Sequence, residues 1–527
     1  MLRRFRKPLL LAFALLTAQE SPVTDQVRLL LRSQLPASRG APHLEAEGQG
    51  FRASAFLSCF YERRGFLPAW SADGNLRPEA EELLAALAAA GNDGLRADDY
   101  RPAALERLAA AVRSQPEPGR LADLDLLLSD AFLTFAAHLQ NGKVNPRAIY
   151  RDCALKGDAA DLATILEEAL AANRVRAALA GLAPPHPEYT RLREALGRYR
   201  RIAERGGPEP VPPGPTLRAG DQGERIAALR ARLAEAAASD AAEPLPAGEL
   251  PDLFDAPLEE AVRGFQRRHG LTDDGLAGPA TLAELNQRAE DHVRQIEVNL
   301  ERWRWLPRDL GRRHVRVNIA GFRLEAVEDG RTALDMRVIV GKPYSRTPMF
   351  SSAMNAVVLN PSWHVPQSIA MKEILPKARK DPGYLERGNY ELLPGSRLRQ
   401  RPGPQNALGL IKFLFPNRFN VYLHDTPART LFGRTVRTFS HGCIRIEKPF
   451  DLAVWVLGDD PRWTPEAIRA GIDAGQERTV KLSRTIPVHV AYWTAWADDA
   501  GTLQLGPDVY GRDAGLALLL EGGRPAG

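Results

Sequence analysis

Cysteine is scarce in this sequence: Cys59, Cys153 and Cys443 are the only three among 527 residues. So few thiols exclude a disulfide-rich scaffold, and at least one of the three has no intramolecular partner. Long hydrophobic runs are missing as well. The N-terminal apolar run, Leu9 to Leu16, is far shorter than the ~20 residues that span a bilayer as a helix. Together with 26% charged residues, this argues against a multi-span membrane protein.

A strong excess of charge of either sign is also absent, since 70 Lys and Arg face 65 Asp and Glu. A net charge of +5 spread over this length gives no indication of a nucleic-acid partner. The hydrophobic content of 44% is that of a globular protein. At ~150 residues per domain, the length predicts three or four domains.

The N-terminus has the pattern of a secretory signal. A cluster of four cations within residues 3–7 directly precedes the apolar run Leu9 to Leu16, and small or polar residues follow. We expect residues 1–18 to be a signal peptide or an uncleaved inner-membrane anchor, which implies export; a buried helix of the first domain is the alternative. Residues 19–50 lack periodicity and contain several Pro and Gly, which predicts a flexible tether.

The remaining chain divides by its pattern into a multidomain α+β protein. Residues 51–205 repeat apolar residues at three- and four-residue spacing, which predicts a helical scaffold domain. Residues 206–215 are a Pro/Gly linker, since this run holds five prolines. Short amphipathic helices follow in 216–290, and alternating runs in 291–527 predict a mainly β domain.

Two local features stand out in the β domain. Asp329-Gly330 separates two alternating runs and predicts a hairpin. Residues 362–405 form a polar stretch too long for an ordinary loop, which predicts a functional insertion. Eight Lys and Arg face four Asp and Glu within 371–401, so the insertion is locally basic.

Cys443 is the cysteine whose neighbours indicate a chemical role, because it lies in the run Ser440-His441-Gly442-Cys443-Ile444-Arg445. His424 lies nineteen residues earlier, a spacing that suits two neighbouring strands. A thiol becomes a good nucleophile when a neighbouring imidazole takes its proton, and backbone N–H groups at a glycine turn stabilise an oxyanion. The competing interpretations are a buried structural cysteine and a zinc site; against zinc, the sequence has no Cys-x-x-Cys or His-x-x-x-His pair.

Two segments resemble known families. The order Leu-x-x-Gly-Asp-x-Gly, then Phe265-Gln266, then Asp-Gly-x-x-Gly-Pro resembles the small three-helix peptidoglycan-binding module of exported cell-wall enzymes. The segments 406–409, 412–413, 415–417, 422–427 and 440–445 closely resemble the catalytic domain of L,D-transpeptidases. With the helical domain and the long insertion, the order is similar to the large multidomain Gram-negative subgroup of that family.

The resemblance implies an acyltransferase of the periplasm that needs no cofactor or metal. Cys443 would be the nucleophile and His424 the general base, with Gly442 at the oxyanion site and with His441, Ser440 and Arg445 as supporting residues. Its substrates would be peptidoglycan stem tetrapeptides, joined by 3-3 cross-links through a cysteine thioester in cell wall and cell shape biogenesis. Carbapenems would acylate the same thiol, and the basic insertion would be a lid over the donor.

Some alternatives stay open. Tyr422, two residues before His424, and Trp363 are candidate walls of the substrate channel, although aromatic residues in β proteins usually pack in the core. Cys59 and Cys153 are a possible disulfide in an oxidising compartment. An L,D-carboxypeptidase or cysteine wall hydrolase, in which water resolves the thioester, and a non-catalytic wall-binding scaffold are the alternative functions. The sequence indicates no oligomeric state.

Overall fold

The computed structural model describes residues 21–35, 45–46, 49–155, 157, 160–206, 209–246, 250–395 and 397–522. The predicted signal segment, 1–18, lies outside these residues. Across the described ranges, no helix combines the length and the apolar character needed to cross a membrane. The chain forms two compact units. The first comprises the described residues within 1–89, 97–136 and 160–180, and the second those within 90–96, 137–159 and 181–527.

The N-terminal elements are mainly helical, as predicted. They are α1 (Pro22–Gln34), β1 (Glu45–Ala46), β2 (Gln49–Gly50), α2 (Ser54–Arg63), β3 (Ser71–Ala72), β4 (Asn75–Leu76), α3 (Pro78–Ala88), α4 (Pro102–Ser114), α5 (Pro118–Asn141), α6 (Pro146–Ile149), α7 (Leu162–Ala171) and α8 (Val175–Leu182). Helix α1 lies in the segment predicted as a tether without a fold, so that prediction is wrong there. The Ser21 side chain caps the helix by accepting from the Thr24 N–H, and Val27 and Leu31 are buried.

A buried carboxylate organises the first unit. Asp125, in the middle of α5, accepts hydrogen bonds from the Tyr61 hydroxyl at 2.6 Å and from the backbone N–H groups of Ala69 and Trp70. Burial raises the pKa of Asp125. Because these donors satisfy the carboxylate, α5 holds both α2 and the loop after it.

The second unit contains the peptidoglycan-binding-like module and the sheet, with two long helices beside them. Its first helices are α9 (Pro187–Arg205), α10 (Glu224–Asp240), α11 (Ala256–Arg268), α12 (Pro279–Leu285) and α13 (Ala289–Arg304). Helices α10 to α12 enclose a separate small core that includes Leu229, Val262 and Phe265. Helix α9 packs on α13, so the last helix of the predicted 51–205 domain belongs with the second unit.

The C-terminal domain is mainly β, as predicted. Its elements are β5 (Arg313–Asn318), β6 (Arg323–Glu328), β7 (Arg331–Gly341), β8 (Phe350–Leu359), β9 (Trp363–His364), α14 (Gln367–Ile369), α15 (Leu375–Lys380), α16 (Tyr384–Arg387), β10 (Tyr390–Leu393), β11 (Arg397–Gln400), β12 (Ile411–Leu414), β13 (Leu423–His424), β14 (Thr438–Ser440), β15 (Ile444–Ile446), α17 (Pro449–Leu457), α18 (Pro465–Asp473), β16 (Arg478–Ala491), β17 (Ala495–Ala497), β18 (Leu503–Leu505) and α19 (Asp513–Leu520).

Nine of these strands form one sheet in the order β14-β7-β15-β13-β12-β8-β16-β5-β6, and a further β6–β7 pairing joins its ends. The predicted hairpin is present between β6 and β7. Asp329 and Gly330 have φ of 50° and 74°, the left-handed values that a two-residue hairpin turn of type I′ requires. Buried apolar residues of the central strands, among them Phe413 and Leu423, belong to one hydrophobic core.

The insertion is a small folded element within this domain. Strands β10, β11 and β9 form a three-stranded sheet, and a single π-helical turn, Ala370–Ile374, joins α14 to α15. Val365, Ile374 and Leu398 are buried in a core of its own. Such π turns occur frequently at functional sites.

All three cysteines are free, so the possible disulfide between Cys59 and Cys153 is not formed. Cys59 lies on α2 of the first unit. Cys153 is buried in the core of the second unit, where its backbone forms a bridge with Met349. Burial raises the pKa of Cys153 to about 11, so this thiol is unreactive near neutral pH.

Candidate active site

The sheet brings His424 and Cys443 into one region. Strand β13, which ends at His424, runs parallel to β15, and β15 begins one residue after Cys443. His424 is in register with Arg445 on β15 and with Lys412 on β12. This arrangement gathers two cations, an imidazole and a thiol at the ends of three adjacent strands.

The turn before Cys443 is held by side-chain hydrogen bonds. Ser440 Oγ donates to the Cys443 carbonyl at 2.5 Å and accepts from the Gly442 N–H at 3.1 Å. Buried Thr347 donates from Oγ1 to the Gly442 carbonyl at 2.9 Å. Gly442 has a φ of 114°, a conformation that side chains other than glycine rarely adopt.

These bonds determine which backbone group is free to bind an oxyanion. The Gly442 N–H is occupied by Ser440 Oγ, although Gly442 was the residue predicted for this role. Because a peptide is planar, the bond from Thr347 to the Gly442 carbonyl turns the Cys443 N–H to the opposite side. Within the described residues, the Cys443 N–H has no acceptor, so it is the donor available to a tetrahedral intermediate.

The Cys443 thiol is partly exposed and lies among polar groups. Its Sγ is 3.9 Å from the Asn420 carbonyl oxygen. Burial raises the pKa of Cys443, while hydrogen bonding from the Tyr422 backbone and hydroxyl and the charges of Lys412 and Arg445 act to lower it. The position therefore combines a dry environment with donors and cations that favour the thiolate.

His424 is buried and electrically neutral at physiological pH. Burial and the neighbouring Arg445 lower the pKa of His424 to about 3. Its Nδ1 donates to the Asp425 carbonyl at 2.5 Å, which leaves Nε2 as the nitrogen with a lone pair. The imidazole is thus oriented by the backbone carbonyl of Asp425 and not by the Asp425 carboxylate. No hydrogen bond joins His424 to Cys443 among the described residues, although both line the same cleft.

The other predicted side chains also line this cleft, whose volume is about 640 Å³. Tyr422 packs edge-on against His424, with ring centroids 5.7 Å apart. Trp363 and other residues of the insertion also line the cleft. His441 Nε2 is bonded to a Glu373 carboxylate oxygen at 2.6 Å, so the catalytic turn and the π turn of the insertion are in contact.

Three residues of this site have roles that the sequence did not predict. Lys412 was noted only as part of the family pattern, yet its Nζ lies 3.9 Å from the Tyr422 ring centroid. Glu373 and Thr347 contact residues 68 and 95 positions away, a pairing that only the folded chain creates. The described residues contain no group of three or more His, Cys, Asp or Glu arranged to hold a metal ion.

Comparison with known families divides the chain in a similar way. Residues 55–196 match a family described as a scaffold domain, and residues 222–285 match a "putative peptidoglycan binding domain". Residues 312–481 match the L,D-transpeptidase catalytic domain, a range that includes His424, Cys443 and the whole insertion.

A curated relative supports the same assignment. The "putative L,D-transpeptidase" of Haemophilus influenzae is 34% identical over 246 residues, which cover 43% of this chain. The match spans about half of that relative's length, 49%.

Solved structures of L,D-transpeptidases match this chain only at low sequence identity and low TM-score. An L,D-transpeptidase from Xylanimonas cellulosilytica is 17% identical, with coverage of 54% of this chain and 100% of that one and a TM-score of 0.18. One from Mycobacterium smegmatis is 17% identical, covers 34% of this chain and 58% of that one, and has a TM-score of 0.19. TM-scores this low establish no shared architecture. By the family and sequence matches, this chain contains a scaffold domain, a peptidoglycan-binding domain and, carrying Cys443, an L,D-transpeptidase catalytic domain.

Proposed function

We propose that this protein is an extracytoplasmic L,D-transpeptidase, a transferase of peptidoglycan biosynthesis that forms 3-3 cross-links between stem peptides. The observation that carries the proposal is Cys443 itself. It is a partly exposed thiol at a glycine turn in a cleft of about 640 Å³, inside the segment that matches the catalytic domain. The peptidoglycan-binding domain in the same chain supports a cell-wall substrate.

The proposed reaction has two acyl-transfer steps. Cys443 Sγ attacks the carbonyl carbon of the third residue of a tetrapeptide stem, and the bond to the terminal D-Ala breaks as its amine leaves with a proton. The product is a thioester on Cys443. The amine of a second stem then attacks the thioester carbon and releases the thiol. Splitting the transfer through a covalent intermediate replaces one high barrier with two lower ones.

Each group in the cleft has a part in this scheme. The Cys443 N–H binds the oxyanion, because its geometry leaves it without another acceptor. His424, with Nδ1–H on the Asp425 carbonyl, offers Nε2 as the proton acceptor and later donor. Arg445 binds a stem carboxylate. Ser440 and His441 hold the turn.

The cleft walls suit a peptide with several carboxylates. Tyr422 and Trp363 line the channel, and the insertion contributes Lys377 to the same wall. Eight Lys and Arg against four Asp and Glu make the insertion basic over 371–401. Such a field attracts an acidic donor, although single exposed cations contribute little by themselves.

The experiment is product analysis by mass spectrometry after incubating the purified protein with tetrapeptide muropeptides. We expect dimers linked from third residue to third residue, with loss of one D-Ala per link. Cys443→Ala is expected to form none, and His424→Ala to lower kcat/KM by about 100-fold or more. Tripeptides without dimers would show instead that water resolves the thioester. No conversion at all would reject the proposal that the protein is an enzyme acting on these stems.

A further inference from the structure

Lys412 occupies an unusual position for a lysine. It lies in the interior strand β12, between β8 and β13, where its register partners are Val358 and His424. Its ammonium nitrogen sits 3.9 Å from the centre of the Tyr422 ring and lines the cleft with Cys443. A lysine of ordinary structural role would place its charge in water, where hydration stabilises it.

The ammonium group has no carboxylate partner. In the part of the chain that the structure describes, no salt bridge or hydrogen bond involves the Lys412 ammonium group, and Glu477 acts on it only as a longer-range charge. Arg445 is in the same situation: no carboxylate of the described ranges pairs with it, and its Nε is buried without a partner there. Two half-buried like charges without a counter-ion are unfavourable, so the site is built to hold an anion.

The thiol of Cys443 is the acidic group that both cations face. Burial lowers the pKa of Lys412 and of Arg445, and in both cases the Cys443 charge acts in the opposite direction. The remaining charged and titratable groups of the cleft are Tyr422 on the approach to β13, His424 on β13, His441 in the turn, and His364, Glu373, Lys377, Tyr384 and Tyr390 from the insertion. Glu373 is already bonded to His441.

His424 cannot supply the counter-charge in the free enzyme. With a pKa of about 3 the ring carries a single proton at neutral pH, so an imidazolium–thiolate pair does not form before substrate binds. The single N–H of the neutral ring is held by the Asp425 carbonyl. A stable thiolate therefore needs a cation other than His424.

We propose that Lys412 is a positioning residue for the nucleophile: its ammonium group, held over the Tyr422 ring, is the counter-charge that stabilises the Cys443 thiolate when the thiol ionises, with Arg445 as the second cation. In the free enzyme the Cys443 proton leaves to solvent, whereas during acyl transfer His424 Nε2 accepts it, so no further reactant is required. The inference rests on the proposed role of Cys443 as the nucleophile. The competing explanation is that Lys412 only packs on Tyr422 and has no effect on the thiol.

The test measures the thiol directly, without any peptidoglycan substrate. Full-length protein is alkylated with iodoacetamide from pH 5 to 10, and peptide mapping by mass spectrometry gives a rate for each cysteine. We expect Lys412→Met to move the midpoint of the Cys443 profile upward by about one pH unit, which slows alkylation at pH 7 about tenfold. Lys412→Arg, which keeps the charge, is expected to remain within about threefold of wild type.

Three controls belong to this experiment. Cys59 on α2 reports any general change in conditions within the same molecule. Lys481→Met removes an equal charge from an exposed position on β16, and its Cys443 profile is expected to match wild type. Lys412→Gln serves as a second neutral variant, and thermal unfolding shows which variants are folded.

The outcomes separate the inference from the function on which it rests. An unchanged Cys443 midpoint in folded Lys412→Met and Lys412→Gln would overturn the role of Lys412, even if the wild type makes 3-3 dimers. If the midpoint shifts upward in Lys412→Met but the wild type makes no dimers, the role of Lys412 is supported and the transpeptidase activity is rejected.

Discussion

Thr347→Val is the change that tests most sharply how the catalytic turn is held. The Thr347 side chain is fully buried, and its Oγ1 accepts from the Gly341 N–H and donates to the Gly442 carbonyl, both at 2.9 Å. Valine has nearly the same shape but can do neither. The substitution therefore strands one donor and one acceptor in a site that valine keeps closed to water.

The expected cost follows from these two bonds. A buried polar group left unsatisfied costs about 1–3 kcal/mol, so the variant is expected to lose about 2–6 kcal/mol in the free energy of unfolding. Thr347→Ser keeps the hydroxyl and loses only a methyl group, which costs about 1 kcal/mol. In addition, Thr347→Val releases the Gly442–Cys443 peptide plane and is expected to lower kcat about 100-fold by misorienting the oxyanion donor.

Guanidinium unfolding followed by tryptophan fluorescence is the appropriate measurement. Seven of the eight tryptophans lie after residue 300, so the signal reports mainly on the C-terminal domain. A Thr347→Val protein that unfolds within about 0.5 kcal/mol of wild type would show that neither bond stabilises the fold. Full kcat in that variant would refute the argument that Thr347 orients the Cys443 N–H.

Two further predictions concern polar contacts elsewhere in the second unit. Glu373→Gln removes the charge that faces His441; because this pair is largely exposed, its loss costs about 0.2–1 kcal/mol, and donor KM is expected to rise no more than about fivefold with kcat unchanged. Burial opposes protonation of His269, but bonds to Asp240 and Glu284 outweigh it and raise the His269 pKa. The stabilisation from charged His269 is therefore complete below pH ~6.5 and is lost as pH rises through the raised pKa. Thermal unfolding from pH 6 to 9 should show this loss in the wild type and not in Asp240→Asn.

Local patterns predicted much of this fold. The Asp329-Gly330 turn, the change from helical to alternating periodicity and the Pro/Gly linker each depend on neighbouring residues, and the first two are confirmed in the structure. The pairing of α9 with α13 was not predictable, because each helix has an apolar face that any other apolar face can cover. Helix α1 differs, because its capping serine is a local signal that the nearby prolines obscure.

The candidate site, like the fold, was predictable from the sequence only in part. The motif around Cys443 and the spacing to His424 were visible as a pattern, and the sheet brings both to one cleft. The cations that face the thiol were not visible as a sequence pattern, because the register of β12 against β13 decides that Lys412 lies beside His424. A slip of one residue would have turned that side chain to the other face of the sheet.

The thioester on Cys443 is the central claim, and its direct test is trapping the intermediate. Wild-type protein mixed with tetrapeptide muropeptides and quenched in acid is analysed by intact mass and peptide mapping. We predict an added mass equal to that of the muropeptide minus one free D-Ala, because the thiol proton leaves on the D-Ala amine. The adduct should lie on the peptide that contains Cys443 and be absent in Cys443→Ala. Cross-linked product formed by Cys443→Ala, or an adduct on Cys59 instead, would contradict the account.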